Sequence, residues 1–162
     1  MDYLLKLRRL VGHAPLLMVG AAVLLVDDQD RVLLMERADN ACWGPPGGAV
    51  EPGEVVEAAA WREVHEETGL EIGAMTLFGV FSGPELYYRY PNGDEVYNVT
   101  IVYLTRGWCG DFQVNQEHVA GRWFTAAEIP ENISPPIRPV LAKFVESIQG
   151  LHSSSGENPC PR

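Results

Sequence analysis

From residue 43 the chain reads Trp43-Gly44-Pro45-Pro46-Gly47-Gly48, and two prolines with three glycines in six residues oppose both a helix and a regular strand. A loop or tight turn is expected there. From Glu54 to Thr68 there is no Gly or Pro, three alanines sit in the middle, and Gly69 stands where a helix C-cap glycine belongs. The turn should therefore feed directly into a helix.

The other elements follow from periodicity. Asp2 to Leu10 places apolar and basic residues at helical spacing, while Leu17 to Val26 and Val32 to Glu36 read as strands joined by the acidic turn Asp27-Asp28-Gln29-Asp30 in the manner of a hairpin. Met75 to Ser82 reads as a strand. Leu86 to Tyr90 should pair with Val96 to Leu104 around Pro91-Asn92-Gly93-Asp94, in which Asn-Gly is a strong hairpin signal. Arg122-Trp123-Phe124 reads as a final short strand, Thr125 to Glu128 as a capping box, and Ile137 to Ile148 as the last amphipathic helix. One domain over 1–149 is expected, with a disordered Ser/Gly/Pro-rich tail over 150–162. Strands mixed with helices, without regular βαβ alternation, indicate an α+β fold with a mixed β-sheet covered by helices.

Composition narrows the function. Twelve Lys and Arg against 22 Asp and Glu give a net charge of −10, which excludes the broad cationic surface that binds duplex nucleic acid. The run Leu16 to Val26 is too short to span a bilayer and ends in acids without a signal-peptidase-like site, so it reads as a buried strand rather than a leader or membrane segment. Cys42, Cys109 and Cys160 are odd in number and lack C-x-x-C spacing, which argues against a disulfide framework or zinc site and favours a reducing, cytoplasmic setting.

Within the central helix Glu63, Glu66 and Glu67 are related by i+3 and i+4 steps, which puts them within an arc of roughly 100° on one face. Carboxylates side by side raise one another's pKa unless a cation sits among them. Oxygen-only ligands suit magnesium, or manganese, better than zinc. Glu54 lies a little over two turns before Arg62, within reach of an ion pair that would tie helix to loop, and the adjoining glycines let a main-chain carbonyl approach. A Glu-rich helix face taken alone is equally a solvated surface; the loop in front of it decides.

Written out, Gly48, five residues, Glu54, seven residues, then Arg62-Glu63-Val64-His65-Glu66-Glu67-Thr68-Gly69-Leu70 resembles, at all nine fixed positions, the signature of the Nudix hydrolases. The resemblance extends over the chain to about residue 149, with Pro45 standing where relatives carry a larger apolar side chain. It implies a Nudix-type α/β/α sandwich and a magnesium-dependent pyrophosphohydrolase that opens the diphosphate of a nucleoside triphosphate, dinucleoside polyphosphate, ADP-ribose or nucleotide sugar. By position Glu63, Glu66 and Glu67 resemble the metal ligands, Gly47 the carbonyl ligand, and Arg62 with Glu54 the orienting pair. The proton of the attacking water is assigned to a carboxylate, either Glu63 or Glu66 or, as in relatives that recruit a later loop, Glu117. Trp43 and Tyr87 are expected to offer aromatic faces to the substrate. Asp94 reads as a turn acid and His65 as surface. Relatives are often homodimers, and the aromatic hairpin around Leu86 to Tyr90 is a candidate interface that the sequence does not decide. The alternatives are a nucleotide-sensing module of the same fold, which usually lacks some signature acids, and a metal-binding structural domain.

Overall fold

The computed structural model describes residues 2–154. After helix α1 (Asp2–Val11) comes strand β1 (Leu16–Leu25), which is buried on both faces from Gly20 onward, while Leu17 and Val19 in its first half are exposed. Ala22 and Leu24 point into a core with Val32, Leu34, Val102, Val140, Leu141 and Phe144, while Ala21, Val23 and Leu25 point the opposite way, toward Leu33, Met35, Ala59, Ala60, Val64 and Tyr103. Helix α2 (Val56–Thr68) closes the second core and helix α3 (Arg138–Ser154) the first. Two sheets thus lie between helices on either side, as expected.

The larger sheet runs β4 (Gly47–Ala49), β1, β8 (Glu95–Thr105), β6 (Thr76–Phe81), with β7 (Tyr87–Arg89) also on β8. Only β1 and β8 are parallel, in register from Leu16↔Val96 to Leu25↔Thr105. The expected hairpin forms over Tyr87–Arg89, in the register Tyr87↔Tyr97 and Arg89↔Glu95, and Asp94 closes its turn against Asn92 and His13. The smaller sheet runs β10 (His118–Phe124), β2 (Val32–Arg37), β3 (Trp43–Gly44), and β5 (Glu71–Ile72) pairs with β9 (Trp108–Cys109).

Several expectations are corrected. β1 and β2 share an acidic turn, in which the Asp27 carboxylate accepts bonds from Gln29 N and Arg31 N, but only Val26 and Val32 bridge before the arms part. The edges of β1 are already taken by β4 and β8, so β2 pairs elsewhere. The Trp43–Gly48 stretch is not all loop: two short strands flank Pro45 and Pro46, the residues without an N–H to give. Glu128 does accept from Thr125 N at 3.2 Å and Thr125 Oγ1 at 2.7 Å, yet the box closes a turn rather than a helix, before Pro130. Helix α3 runs to Ser154, past the expected boundary at 149, and the rest of the expected disordered tail lies outside the described residues.

Helix α2 ends on Gly69 at φ 69°, ψ −1°, its N–H donating to His65 O. That left-handed conformation disfavours any side chain, and a Cβ there would also meet Asp111 O at 3.1 Å. Gly69→Ala is expected to cost about 1 kcal/mol, lowering Tm by roughly 2–4 °C in a thermal melt.

Candidate active site

The short strand β4 and the first half of α2 are locked together by one side chain. Arg62 Nε donates to Glu54 Oε1 at 2.8 Å and Nη2 to Glu54 Oε2 at 3.0 Å, a bidentate pair. Nη2 also donates to Ala49 O at 3.2 Å, and Nη1 donates to Glu63 Oε1 at 2.7 Å and Glu66 Oε2 at 3.3 Å. Glu54 further accepts from Glu51 N. The bonds from Arg62, reinforced by that backbone N–H, hold the Glu54 carboxyl down to about 2, and the bonds to Glu54 and Glu63 raise the Arg62 guanidinium.

Beyond Arg62 the three helix acids differ in surroundings. Glu66 is 55% exposed and Glu67 only 7%, because Glu67 points under β4, where its Oε2 accepts from Gly47 N at 3.0 Å. Burial pushes the Glu67 carboxyl up to about 8 against that hydrogen bond, with Glu63 and Glu117 adding repulsion. Burial also raises Glu63, countered by Arg62. A Cβ on Gly48 would meet the Glu63 carboxylate, so a side chain there would displace Glu63 from its place beside Arg62.

A second rim arrives from the chain before β10. Glu117, on the turn before β10, adds repulsion that raises both Glu63 and Glu67. Its carbonyl accepts from Ala38 N at 2.9 Å, next to Arg37, which forms a bidentate pair with Asp39. His118 is buried with Nε2 at 4.0 Å from Glu67 Oε1, and burial lowers its pKa. The sequence reading missed His118 and Arg37. Their neighbourhood depends on the pairing His118↔Arg37 between strands 80 residues apart, which leaves no local pattern.

The two residues expected to offer aromatic platforms are both engaged within the fold. Trp43 is 9% exposed, its ring set edge-on against Phe124 at 5.1 Å, and Trp43 N and O are bonded to Asn132 and Ser134, so it serves the core. Tyr87 packs on Tyr97 at 5.1 Å within its own hairpin. Strand alternation sends its neighbour Tyr88 to the opposite face. There Tyr88 meets Tyr90 edge-on at 4.8 Å and its hydroxyl accepts from Asn40 Nδ2 at 3.2 Å, on the side of Arg37. Tyr88 and Tyr90 are therefore the aromatic pair beside the charged rim.

Among the described residues no three acids, histidines or cysteines already surround a common point, so the expected convergence of Glu63, Glu66 and Glu67 is incomplete: Glu67 leans on Gly47 N–H, Glu63 and Glu66 on Arg62. The donor chemistry nonetheless fits a hard divalent cation. Glu63, Glu67 and Glu117 repel one another in a partly buried space, and oxygen is the only donor type they supply.

Residues 16–144 match the NUDIX domain. The chain is 32% identical over 130 residues to an ADP-ribose pyrophosphatase of Methanocaldococcus jannaschii, covering 78% of this chain and 71% of that protein. It is 32% identical over 120 residues to a MutT-like protein of Streptomyces ambofaciens, covering 74% and 71%. The crystal structure of a MutT NUDIX hydrolase from Burkholderia pseudomallei superposes with a TM-score of 0.68 at 32% identity, over 79% of this chain and 98% of that one. Fold, site and relatives define a hydrolase of phosphoric anhydrides. The chain belongs to the Nudix family, whose members generally use divalent metal ions and act on small nucleotide derivatives. No helix among the described residues is long and apolar enough to cross a membrane.

Proposed function

We propose that this protein is a magnesium-dependent pyrophosphohydrolase that opens the diphosphate of a nucleoside diphosphate joined to a second group. The observation that carries the reading is the intact charged lattice of Glu54, Arg62, Glu63, Glu66 and Glu67 built against Gly47 and Gly48. A binding module would have no use for the full set.

Glu63, Glu66 and Glu67, with the main chain at Gly47, are the groups that would hold the metal. When bound, it offsets charge on the diphosphate oxygens and acidifies water. Arg62 holds Glu63 and Glu66 in place while Glu54 fixes Arg62. Glu117 is assigned the proton of the attacking water: as the water oxygen bonds phosphorus and the bridging P–O bond breaks, that proton passes to the Glu117 carboxylate and the leaving phosphate carries away the electron pair. Glu66, exposed and adjoining, is the other carboxylate on this rim. Tyr88 and Tyr90 are placed to contact the nucleoside. ADP-ribose heads the order of substrates because the relative from Methanocaldococcus jannaschii bears the name ADP-ribose pyrophosphatase.

The test is product identification by chromatography with ADP-ribose, nucleotide sugars, dinucleoside polyphosphates and nucleoside triphosphates, with and without magnesium. The expected result is cleavage of one class at its diphosphate, only with metal. Magnesium binding with no turnover across the panel would overturn the reading in favour of a binding module.

A further inference from the structure

Glu117 sits on a turn that follows a stretch, 111–115, without regular structure. An acid in such a place is ordinarily free to wander, and ordering it costs conformational entropy. Besides a long turn bond from His118 N to Asn115 O at 3.4 Å, three contacts pin the segment. Gln113 N donates to Thr68 O at 2.8 Å, tying it to the last turn of α2, and Ala38 N donates to Glu117 O at 2.9 Å, tying it to the end of β2. The third is made by a side chain: Asn115 Oδ1 accepts from Glu117 N at 3.1 Å and lies 2.9 Å from His118 Nδ1.

That single amide oxygen joins the exposed Glu117 to an immobile neighbour. His118 begins β10, its ring is 5% exposed, and its Nε2 faces Glu67. With Nδ1–H donating to Asn115, the imidazole tautomer is assigned from this network, and the ring cannot turn without breaking that bond. The Asn115 carbonyl is thereby held at a set point, and the Glu117 main chain hangs from it in a side-chain-closed turn of the kind Asn and Asp form two residues ahead. The other two pins are purely backbone. Asn115 is the one whose contribution a side-chain change can remove.

We infer that Asn115 is a positioning residue for the hydrolysis, acting through Glu117, whose carboxylate it sets against Glu63 and Glu67 by coupling the Glu117 backbone to the buried His118. The inference rests on the reading of Glu117 as the proton acceptor. A misplacement of about 1 Å at such a group costs on the order of 100-fold in rate, and removal of a supporting contact about 10–100-fold.

The test is a kinetic double-mutant cycle on the full chain with magnesium and the substrate that the panel singles out. Glu117→Gln alone comes first. A loss of kcat of about 100-fold or more supports Glu117 as the acceptor; unchanged turnover removes that reading and this inference with it. Asn115→Ala should then lower kcat about 10–100-fold with KM within about 2-fold and Tm within a few degrees. Asn115→Asp, which keeps the accepting oxygen, should recover most of the loss. In the Glu117→Gln background Asn115→Ala should cost less than about 3-fold, because the residue through which it acts is already disabled. If the two losses multiply in full, or if Asn115→Ala leaves kcat unchanged, the inference is overturned while the assignment of Glu117 stands. Asn115→Gly is the second truncation should the alanine variant not fold.

Discussion

Replacing Glu67 by Gln is expected to do two opposite things: to cut metal-dependent turnover roughly 1,000-fold, about 4 kcal/mol of barrier, and to stabilise the metal-free protein at alkaline pH. Both follow from where the side chain sits. Glu67 is buried under β4 with one oxygen on Gly47 N–H, and its carboxyl is held up to about 8. A folded-state pKa above the ordinary carboxylate value means that the protonated acid is the form the fold prefers. The stability it contributes is fully present below about 4.5 and is lost as pH rises through about 8. Gln has no proton to lose. Melts without metal should therefore show wild type falling behind Glu67→Gln between pH 5 and 9, by several degrees at the upper end. With magnesium the order should reverse, since wild type gains the binding free energy and the variant loses a ligand. Equal pH slopes for the two proteins without metal would contradict the placement of Glu67.

Arg62→Ala carries the second large effect, on stability as well as rate. The guanidinium bonds Glu54, Ala49, Glu63 and Glu66, and removing it leaves two largely buried carboxylates without their cation. The expected cost is about 3 kcal/mol, or roughly 6–12 °C in Tm near neutral pH. Arg62→Lys should recover little, because an ammonium cannot repeat the bidentate contact to Glu54. The sign with acid is specific. Glu54, held to about 2 by Arg62, contributes stability that is present above about 4.5 and lost as pH falls through about 2, so the gap between wild type and Arg62→Ala should narrow over that interval. A gap that stays constant from pH 7 to pH 2 would show that Arg62 acts through packing alone.

How much of this was legible in the chain depends on how local each feature is. The α2 helix, its Gly69 cap and the Glu54–Arg62 contact all lie within 16 residues and obey helix geometry, so spacing alone located them. The Asn92-Gly93 turn located the β7–β8 hairpin in the same way. Glu117 came from resemblance, and its charge does reach Glu63 and Glu67.

What escaped was decided by pairing between distant strands. Nothing near Val32 says that the edges of β1 are already occupied, so a shared turn reads as a hairpin although the strands join different sheets. Trp43 beside a glycine-rich turn looks like a platform until Phe124 from β10 closes on its ring. Tyr87 and Tyr88 are equivalent as letters, and only the hairpin register shows that Tyr88 shares the side of Asn40 and Arg37. His118 carries no motif at all. Its place beside Glu67 exists only because β10 lies along β2.

The most direct test of the central claim is hydrolysis of the preferred substrate in ¹⁸O-labelled water, with the products weighed by mass spectrometry in the presence and absence of magnesium. The account predicts one ¹⁸O in the phosphate of one product, formed only with metal and suppressed in Glu67→Gln. Label in a sugar hydroxyl, or turnover that persists without divalent metal or without the Glu67 carboxylate, would contradict it.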